Sequence, residues 1–397
     1  MSQENPHGFV DAASASASLS VSRSTLYAYV SRGLIRSVPQ PGNSRARLYV
    51  QADVDRLVWR KNHARRPSAA VATALDWGLP ILETHISQIE KGRLTYRGRD
   101  ITALAGHASL EDVAVLLWDA HAAPFDKAHF DPALVPGWAG TARIKANAPP
   151  VDRALALLAL MDPSASSARR PENERLAAAV CLVRALACAM ASAKLDVTKN
   201  LHDALAETWQ RPDAREVIRR ILVCCADHEL NAASFAVRVV ASMDADLTSA
   251  LLAGLGAFRG LEHVTAFKDV RVLLEEAAAT DDLEDFVRQR TGKNGALPGF
   301  FHRLYPEGDP RAAAIMAHVP VPPATAKLID SVARLTGLRP NVELALVITE
   351  TGYGLGQEVA ETLFTISRSI GWIAHAIEQQ KSGIRIRPRA CSRATEL

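Results

Sequence analysis

The sequence predicts an all-α fold for most of the chain, preceded by a small N-terminal domain. Alanine, the strongest helix former, is abundant through the middle of the 397 residues. From Ser109 onward, apolar side chains recur at the spacing of amphipathic helices. No strands alternate with these helices, which argues against a parallel α/β sheet. With 48% hydrophobic and 22% charged residues, the chain can fill the cores of two or three domains.

The N-terminal pattern predicts a small unit that begins near Phe9 and ends near Asn62. Ser22 or Ser24 can cap a helix, and Gly33 can end it. We expect, in order, helices over Ala12–Leu19 and Thr25–Ser31, a loop over Pro39–Asn43, a strand over Arg45–Tyr49, and a helix over Val54–Lys61 capped by Asp53. This order is helix, turn, helix, wing, helix.

The positive charge of the chain is concentrated in its first part. Residues 1–70 hold ten Arg or Lys against four Asp or Glu, a net charge of +6, whereas the whole chain has a net charge of +3. Such a block is typical of a module that faces nucleic acid, and equally of a solvated basic surface. The stretch His63–Ser68 has the composition of a linker. We therefore expect a helix-turn-helix domain with its linker over residues 1–66 and a body over 73–397.

The body begins with a predicted hairpin, Glu90–Arg93 flanked by Thr84–Ser87 and Leu94–Tyr96. The predicted helices after it share apolar positions three or four residues apart. These positions are Leu110, Val113, Leu116 and Leu117; Val217, Ile218, Ile221, Leu222 and Cys225; and Leu363, Ile366, Ile370, Ile373 and Ile377.

Three histidines mark the most unusual zone of the body, from Asp227 to Arg311. His228, His263 and His302 lie there, the last beside a turn signal and arginines. Imidazoles on turns near arginines suit proton transfer on an anionic substrate, although each histidine alone is more often structural. The sequence contains no P-loop, nucleophile elbow or zinc helix, and its two Gly-x-Gly stretches follow no convincing strand. No metal site is predicted.

Several ordered motifs of the body resemble the citrate synthase family over residues 73–390. The matching stretches are Thr84–Ser87 with Gly92–Gly98, Asp227–Ala232, Gly260–His263, Pro298–Arg303 with Asp309–Arg311, Pro340–Glu343, Ser367–His375 and Ile386–Pro388. The resemblance implies a large helical domain with a smaller one inserted at about residues 266–355. It also implies condensation of acetyl-CoA or propionyl-CoA with oxaloacetate, followed by thioester hydrolysis, with no cofactor beyond the CoA substrate.

The resemblance assigns a role to each site residue. Glu343 would take a proton from the acyl methyl group, His263 would stabilise the enol oxygen, and His302 would protonate the oxaloacetate carbonyl. Guanidinium groups bind carboxylates in a bidentate manner, so the resemblance implies a dicarboxylate site. Its residues would be His228, Arg311, Arg368 and Arg387, the last of which reaches in from a partner subunit of a homodimer.

Three positions depart from the family's usual residues. Glu343 stands where aspartate is usual, and the extra methylene moves the carboxylate by about 1 Å, which can cost ~10²-fold in rate. Val264 and Phe301 stand where glycine is usual. The branched side chain of Val264 restricts the backbone, and Phe301 can crowd the pantetheine of CoA or reshape the acyl pocket. These departures leave open a second function, in which a weakened body senses CoA esters or oxaloacetate and controls DNA binding. A third possibility is a structural subunit of another synthase.

The N-terminal unit resembles MerR-type winged helix-turn-helix domains. The resemblance is carried by Thr25–Tyr27 with Gly33–Ile35, and by Arg47–Tyr49 with Asp53–Leu57. It implies a major-groove or phosphate role for five residues, Ser22, Arg23, Thr25, Arg45 and Arg47. The same unit can instead serve as a dimer-packing or protein-docking module.

The cysteine pattern and the apolar segments predict a cytoplasmic protein. None of the five cysteines stands in a C-x-x-C pair, as is usual in a reducing compartment. The N-terminal segment is polar, unlike a signal peptide. The most apolar stretch, Val180–Ala193, is interrupted by Arg184 and too short to span a membrane, so no membrane partner is expected.

Overall fold

A computed structural model describes residues 9–40, 43–51, 53–54, 57–58, 82–120, 125, 128–294 and 297–388. Within these ranges the side chains of residues 9, 39–40, 43–45, 261–264 and 292–294 are not described. The chain forms two compact units. One consists of residues 1–83, 284–297 and 388–397, and the other of residues 84–283 and 298–387. The predicted boundary between residues 66 and 73 lies outside the described residues.

Between residues 9 and 50, the described part of the first unit forms two short helices and a three-stranded antiparallel sheet. Its elements are β1 (Phe9–Val10), α1 (Ala12–Leu19), α2 (Arg23–Ser31), β2 (Ser37–Gln40) and β3 (Asn43–Val50), with the strands in the order β1–β3–β2. Its own hydrophobic core consists of Ala15, Leu19, Leu26, Ile35, Tyr49 and Val54. Helices α1 and α2 and strand β3 therefore share a hydrophobic core of their own.

The helix bounds follow from local capping. The prediction for α1 is confirmed, and the Asp11 carboxylate caps it by accepting the Ser14 N–H at 2.7 Å. Helix α2 begins two residues earlier than predicted, because Ser22 Oγ accepts the Thr25 N–H and makes Ser22 the N-cap. Residues 51 and 53 are both helical, so Asp53 is not the predicted N-cap. Its carboxylate instead pairs with Arg36 at 2.9 Å.

The second unit is helical apart from a small meander of three strands, so the all-α prediction is confirmed for the body. The strands are β4 (Ser87–Glu90), β5 (Arg93–Tyr96) and β6 (Arg99–Asp100). The helices are α3 (Ile101–His107), α4 (Leu110–Trp118), α5 (Trp138–Ile144), α6 (Pro150–Leu158), α7 (Glu172–Ala191), α8 (Leu201–Thr208), α9 (Arg215–Cys224), α10 (Ala232–Ala241), α11 (Leu247–Phe258), α12 (Leu261–Ala279), α14 (Pro310–Met316), α15 (Pro323–Thr336), α16 (Val342–Tyr353) and α17 (Val359–Ser382). Helix α13 (Leu283–Asn294) lies almost wholly in the first unit.

Helix α17 is the central element of the body. Almost all its side chains from Val359 to Ile377 are buried, and α4, α7, α9, α10, α11 and α16 pack around it. Trp118 of α4 donates its indole N–H to the Ile370 carbonyl at 3.0 Å. Gly254 of α11 leaves space for the Trp372 ring, because a Cβ atom there would lie 2.9 Å from it. No helix in the described part of the chain has the length and hydropathy needed to cross a membrane.

Candidate active site

The loop that carries His228 lies directly against the middle of α17. Gly371 donates its backbone N–H to the Ala226 carbonyl at 3.1 Å. A Cβ atom at Gly371 would clash with the Asp227 carboxylate and would lie 2.5 Å from the Ala226 oxygen. Only glycine therefore permits this close approach of loop and helix.

The hairpin β4–β5 supports the same loop. Ser87 Oγ donates to the Asp227 carboxylate and accepts the Glu229 N–H at 3.0 Å. Tyr96 accepts the Asp227 N–H at 3.1 Å and contacts the Asp227 carbonyl at 3.2 Å. Ile89 donates its N–H to the Glu229 carboxylate at 2.5 Å. These contacts fix the backbone on both sides of His228.

A second loop, residues 299–302, is joined to the start of α16 by backbone hydrogen bonds. Phe301 donates its N–H to the Arg339 carbonyl at 2.8 Å, and Asn341 donates its N–H to the Gly299 carbonyl at 2.9 Å. Asn341 also caps α16, which places Glu343 in the first turn of that helix. The junction therefore sets His302, the next residue of the loop, relative to Glu343.

Asp309 connects this region to α14. Its carboxylate caps α14 by accepting the Arg311 N–H at 3.0 Å, and it accepts the Val342 N–H of α16 at 3.2 Å. The same carboxylate pairs with the Arg311 guanidinium at 3.0 and 2.7 Å. Burial alone opposes ionisation of Asp309, but Arg311 outweighs it and lowers the pKa of the carboxyl group. Arg311 is thus held as a cation at the base of the site.

Three rings meet at the centre of the site. The centroids of His228 and His302 are 5.0 Å apart, and those of His302 and Tyr305 are 4.9 Å apart. His228 Nε2 lies 2.9 Å from the Tyr305 hydroxyl oxygen. The Arg311 guanidinium stands 5.4 Å from the centroid of the Tyr305 ring. Residues that are far apart in the sequence therefore form one cluster.

Both imidazoles are neutral near pH 7. Burial and the positive charge of Arg311 lower the pKa of His302 to about 4. Burial, Arg311 and Arg368 hold the pKa of His228 well below its usual range. The Leu304 N–H donates to His302 Nδ1 at 3.2 Å, so the proton of neutral His302 is on Nε2. Neutral histidines of this kind donate a hydrogen bond without adding positive charge.

Arg368 is a buried cation without a matching acceptor. It is 2% exposed, and its Nε and Nη1 atoms have no hydrogen-bond partner among the described residues. Its guanidinium lies 4.9 Å from the Phe364 ring centroid, and burial lowers its pKa. A buried guanidinium with unused donors is costly unless an anion completes it. The arrangement suits a carboxylate ligand.

Glu343 has an unpartnered acceptor oxygen, whereas Arg368 has unpartnered donors. Its Oε2 atom is shielded from solvent and has no hydrogen-bond partner in the described part of the chain. Burial raises the pKa of this carboxyl group, although Arg311 opposes the shift. A carboxylate with a raised pKa and a free oxygen has the properties of a general base.

Two predicted site residues, His263 and Arg387, are not part of the described cluster. His263 lies in the first turn of α12, but its side chain and that of Val264 are outside the described residues. Arg387 is exposed and follows the end of α17, where the Ile386 N–H donates to Ser242 Oγ. Arg387 is therefore not in the cluster formed by this chain.

Of the five predicted DNA-contacting residues, four have side chains that the structure describes. Ser22 and Arg23 are exposed at the N-terminus of α2, and Thr25 is half-buried. Arg47 is exposed and donates to the Ser37 hydroxyl and carbonyl at 2.8 and 2.9 Å. The side chain of Arg45 lies outside the described residues.

Sequence reasoning missed Tyr305 and the structural roles of Asp227 and Asp309. Tyr305 is 1% exposed and stands three residues after His302, a spacing that a tight turn brings together. Asp227 Oδ1 lies 3.3 Å from His375 Nε2, and both side chains are fully buried. No group of three or more His, Cys, Asp or Glu side chains in the described ranges is placed to hold a metal ion.

Comparisons with known proteins extend over the body. The family model for the citrate synthase C-terminal domain matches residues 74–389. Citrate synthase 2 of Bacillus subtilis is 27% identical over 350 residues, which cover 79% of this chain and 93% of that protein. The 2-methylcitrate synthase of Mycobacterium tuberculosis is 27% identical over 355 residues, 78% of this chain and 88% of that protein.

Solved structures show the same fold. Citrate synthase from Thermotoga maritima superposes with a TM-score of 0.66 at 23% identity, covering 80% of this chain and 95% of that one. Citrate synthase from Pyrobaculum aerophilum gives a TM-score of 0.62 at 25% identity, covering 80% and 91%. Because the family model spans well over half of the chain, this protein belongs to the citrate synthase family.

Proposed function

We propose that the protein condenses acetyl-CoA or propionyl-CoA with oxaloacetate, giving citrate or 2-methylcitrate and free CoA. The observation that carries this function is that a buried guanidinium, Arg368, has two donors without an acceptor and a shielded carboxylate, Glu343, has one oxygen without a donor among the described residues. Two neutral imidazoles, those of His228 and His302, lie 5.0 Å apart, and the positive charge of Arg368 acts on both. The relatives named citrate synthase and 2-methylcitrate synthase support both acyl groups.

Each residue has one step in this mechanism. Glu343 removes a proton from the methyl or methylene carbon next to the thioester, and His263 donates a hydrogen bond to the enol oxygen that forms. The new carbon–carbon bond forms at the oxaloacetate ketone, while the Nε2–H of His302 supplies the proton for its oxygen. Water then hydrolyses the thioester and releases the CoA thiol.

The dicarboxylate is held by His228, Arg311 and Arg368. The Nε and Nη1 atoms of Arg368, which have no partner in the described chain, lie on different edges of the guanidinium, so each would donate one hydrogen bond to the dicarboxylate. Arg311 is already paired with Asp309, so it contributes positive charge rather than two free donors. Arg368 is therefore the principal carboxylate ligand in this proposal.

A homodimer would complete the site. Arg387 is exposed, and the segment that carries it leaves α17 at Gly383, whose φ of +64° ends the helix. Ile384 and Met243 beside this segment are 64% and 61% exposed, large apolar side chains that a second subunit would cover. In the dimer, Arg387 of each chain would contact the dicarboxylate bound by its partner.

The N-terminal unit is proposed to bind DNA. The family match begins at residue 74, so it does not cover the N-terminal helices and strands. The support is local: two helices joined by three residues, with Arg23 exposed where the second helix begins. Burial raises the pKa of Tyr49, Tyr27 adds to the shift, and Arg47 and Arg23 oppose it, so these four side chains lie near one another.

A thiol-release assay tests the enzymatic proposal. Acetyl-CoA and propionyl-CoA are each mixed with oxaloacetate, and free CoA is measured with a thiol reagent. We expect release that depends on oxaloacetate, and a loss of ~10²–10⁴-fold in the Glu343→Gln variant. Activity that survives this substitution would show that the base is another residue.

The same assay separates the alternatives. No release with either acyl-CoA, together with specific operator binding, would favour a regulator that senses CoA esters or oxaloacetate. Co-purification with a second synthase chain would favour a structural subunit. The described cysteines Cys181, Cys188, Cys224 and Cys225 are free thiols, which fits the cytoplasmic location that we propose.

A further inference from the structure

One tight turn presents hydrogen-bond donors to both active-site histidines. Tyr305 donates its backbone N–H to the His302 carbonyl at 2.9 Å, which closes the turn. Within it, the Leu304 N–H points to Nδ1 of His302 at 3.2 Å. The Tyr305 hydroxyl lies 2.9 Å from Nε2 of His228, on a separate loop 77 residues away. The turn therefore touches one nitrogen of each imidazole.

The contact between Tyr305 and His228 has two possible proton arrangements. Either the phenol O–H donates to Nε2, which leaves the imidazole proton on Nδ1, or Nε2–H donates to the phenol oxygen. The first arrangement satisfies the phenol hydrogen in a place where Tyr305 is 1% exposed. In the second, this hydrogen needs another acceptor, and His228 is the one hydrogen-bond partner that the described residues give to the Tyr305 hydroxyl.

We propose that Tyr305 is a positioning residue whose hydroxyl donates to Nε2 of His228 and holds that imidazole as the Nδ1–H tautomer. The inference rests on the proposed condensation and adds a residue to it. His228 and His302 then each enter catalysis with one defined proton, set by two donors of the same turn. Tyr305 itself acts through His228 rather than on the reacting atoms.

The surrounding charges favour this arrangement. Arg311 and Arg368 face His228 from α14 and α17, and both disfavour a protonated imidazole. Burial raises the pKa of Tyr305, so its hydroxyl keeps its proton, although Arg311 opposes the shift. The other groups that face this pair are His302, Asp309 and Glu229. A neutral imidazole beside a neutral phenol needs no counter-ion here.

The test compares Tyr305→Phe with a matched control, Tyr353→Phe. Tyr353 also donates through its hydroxyl, to the His318 carbonyl at 2.8 Å, but it lies at the far end of α16 from Glu343. Nitrogen-15 NMR of histidine-labelled protein reports the tautomer, with His228 assigned by the loss of its signals in His228→Asn. Unlabelled enzyme gives kcat and the KM for each substrate across pH.

We expect the Nδ1–H tautomer at His228 in the wild type and a mixture of tautomers in Tyr305→Phe. The KM for oxaloacetate should rise about five- to tenfold, the equivalent of one hydrogen bond, while the KM for the acyl-CoA stays within about twofold. Loss of a donor to the neutral imidazole raises the pKa of His228, so the acid limb of kcat/KM for oxaloacetate moves to higher pH. The control should match the wild type in all three measurements.

Two results would overturn the proposal. One is an Nε2–H tautomer at His228 in the wild type. The other is an acid limb that moves to lower pH in Tyr305→Phe, because that sign means the phenol oxygen had been the acceptor. If the wild type releases no thiol, the condensation fails, but the NMR spectrum still decides whether Tyr305 fixes the tautomer.

Discussion

Replacing Arg368 by methionine should weaken substrate binding and stabilise the fold at the same time. Most buried arginines are structural, and their loss lowers stability. Arg368 differs because two of its donors have no partner among the described residues and because it is 2% exposed. Methionine is unbranched, fills a similar space and needs no hydrogen bonds.

The magnitudes follow from what the guanidinium touches. Desolvation of a buried ion costs several kcal/mol, and replacing a buried ion pair by apolar side chains of similar volume can gain about 1–4 kcal/mol. We apply the same range to Arg368, because two of its donors have no partner among the described residues. Loss of the cation–π contact with the Phe364 ring, at 4.9 Å, offsets about 1 kcal/mol of that gain. We therefore expect a free energy of unfolding higher by about 1–3 kcal/mol. Loss of two charged hydrogen bonds to a carboxylate, each about 1.5–3 kcal/mol, should lower kcat/KM for oxaloacetate by ~10²–10⁴-fold.

Arg153 provides a matched control. It is 3% exposed, but its guanidinium donates to the carbonyls of Ala189, Met190 and Ala148 at 2.6, 2.6 and 3.0 Å. Arg153→Met removes a hydrogen-bond donor from each of these three carbonyls, so it should lower the free energy of unfolding by about 2–3 kcal/mol without changing the KM for oxaloacetate. The two arginines should thus respond with opposite signs.

Urea denaturation and thiol-release kinetics measure both effects in the same preparations. If Arg368→Met destabilises the protein and leaves kcat/KM unchanged, Arg368 is structural. Its attraction to the buried Asp227 carboxylate would then be the contribution that we have underestimated.

Two further changes follow from the same site. Gly371→Ala inserts a methyl group against Asp227 and the Ala226 carbonyl, so it should lower the free energy of unfolding by about 1–3 kcal/mol and raise the KM for oxaloacetate; equal urea midpoints for variant and wild type would contradict this packing. Stability should also depend on pH, because His302 has a pKa of about 4 in the folded chain against the ordinary 6.5. As the pH falls, the unfolded chain binds the proton before the folded chain does. The contribution of His302 to the free energy of unfolding is therefore fully present above about pH 6.5 and decreases by about 2–3 kcal/mol as the pH drops toward 4. His228 acts in the same direction. Urea unfolding between pH 7 and pH 4.5 measures this pH dependence of stability, which should be weaker in His302→Asn. A variant that kept the full pH dependence would contradict the prediction.

The sequence predicted the elements whose determinants are local. Helix α1 begins and ends as predicted because Asp11 and Ser20 cap it, and the hairpin β4–β5 forms where the turn signal stands. The motif resemblance also placed His228 and His302 in one site, and the structure brings their rings together at 5.0 Å. The position of the His263 side chain stays a prediction.

The parts that sequence reasoning missed depend on contacts between distant segments. The role of Tyr305 requires a partner 77 residues earlier in the chain, and Asp309 caps one helix while accepting the N–H of another. That Nε and Nη1 of Arg368 have no hydrogen-bond partner among the described residues is a property of its surroundings, which no local spacing encodes. Residue type indicated which hydrogen bonds and charges these side chains can supply. Tertiary packing decided which of their donors and acceptors are already paired within the chain.

The unusual residues Phe301 and Glu343 are best understood through the junction that joins them. Phe301 has a φ of +69°, a left-handed conformation that costs a bulky residue about 1–2 kcal/mol and that glycine adopts freely. The hydrogen bond from Phe301 N–H to the Arg339 carbonyl holds this conformation, and Asn341, which caps the helix of Glu343, donates its side-chain N–H to the Phe301 carbonyl at 3.4 Å. The strained residue and the longer carboxylate therefore depend on one backbone contact, which also sets His302. Glycine at position 301 would relieve the backbone strain and leave the length of the Glu343 side chain unchanged. Aspartate at position 343 would shorten that side chain and leave the strain at Phe301 unchanged. The two departures therefore affect the site separately, one through backbone conformation and the other through side-chain length.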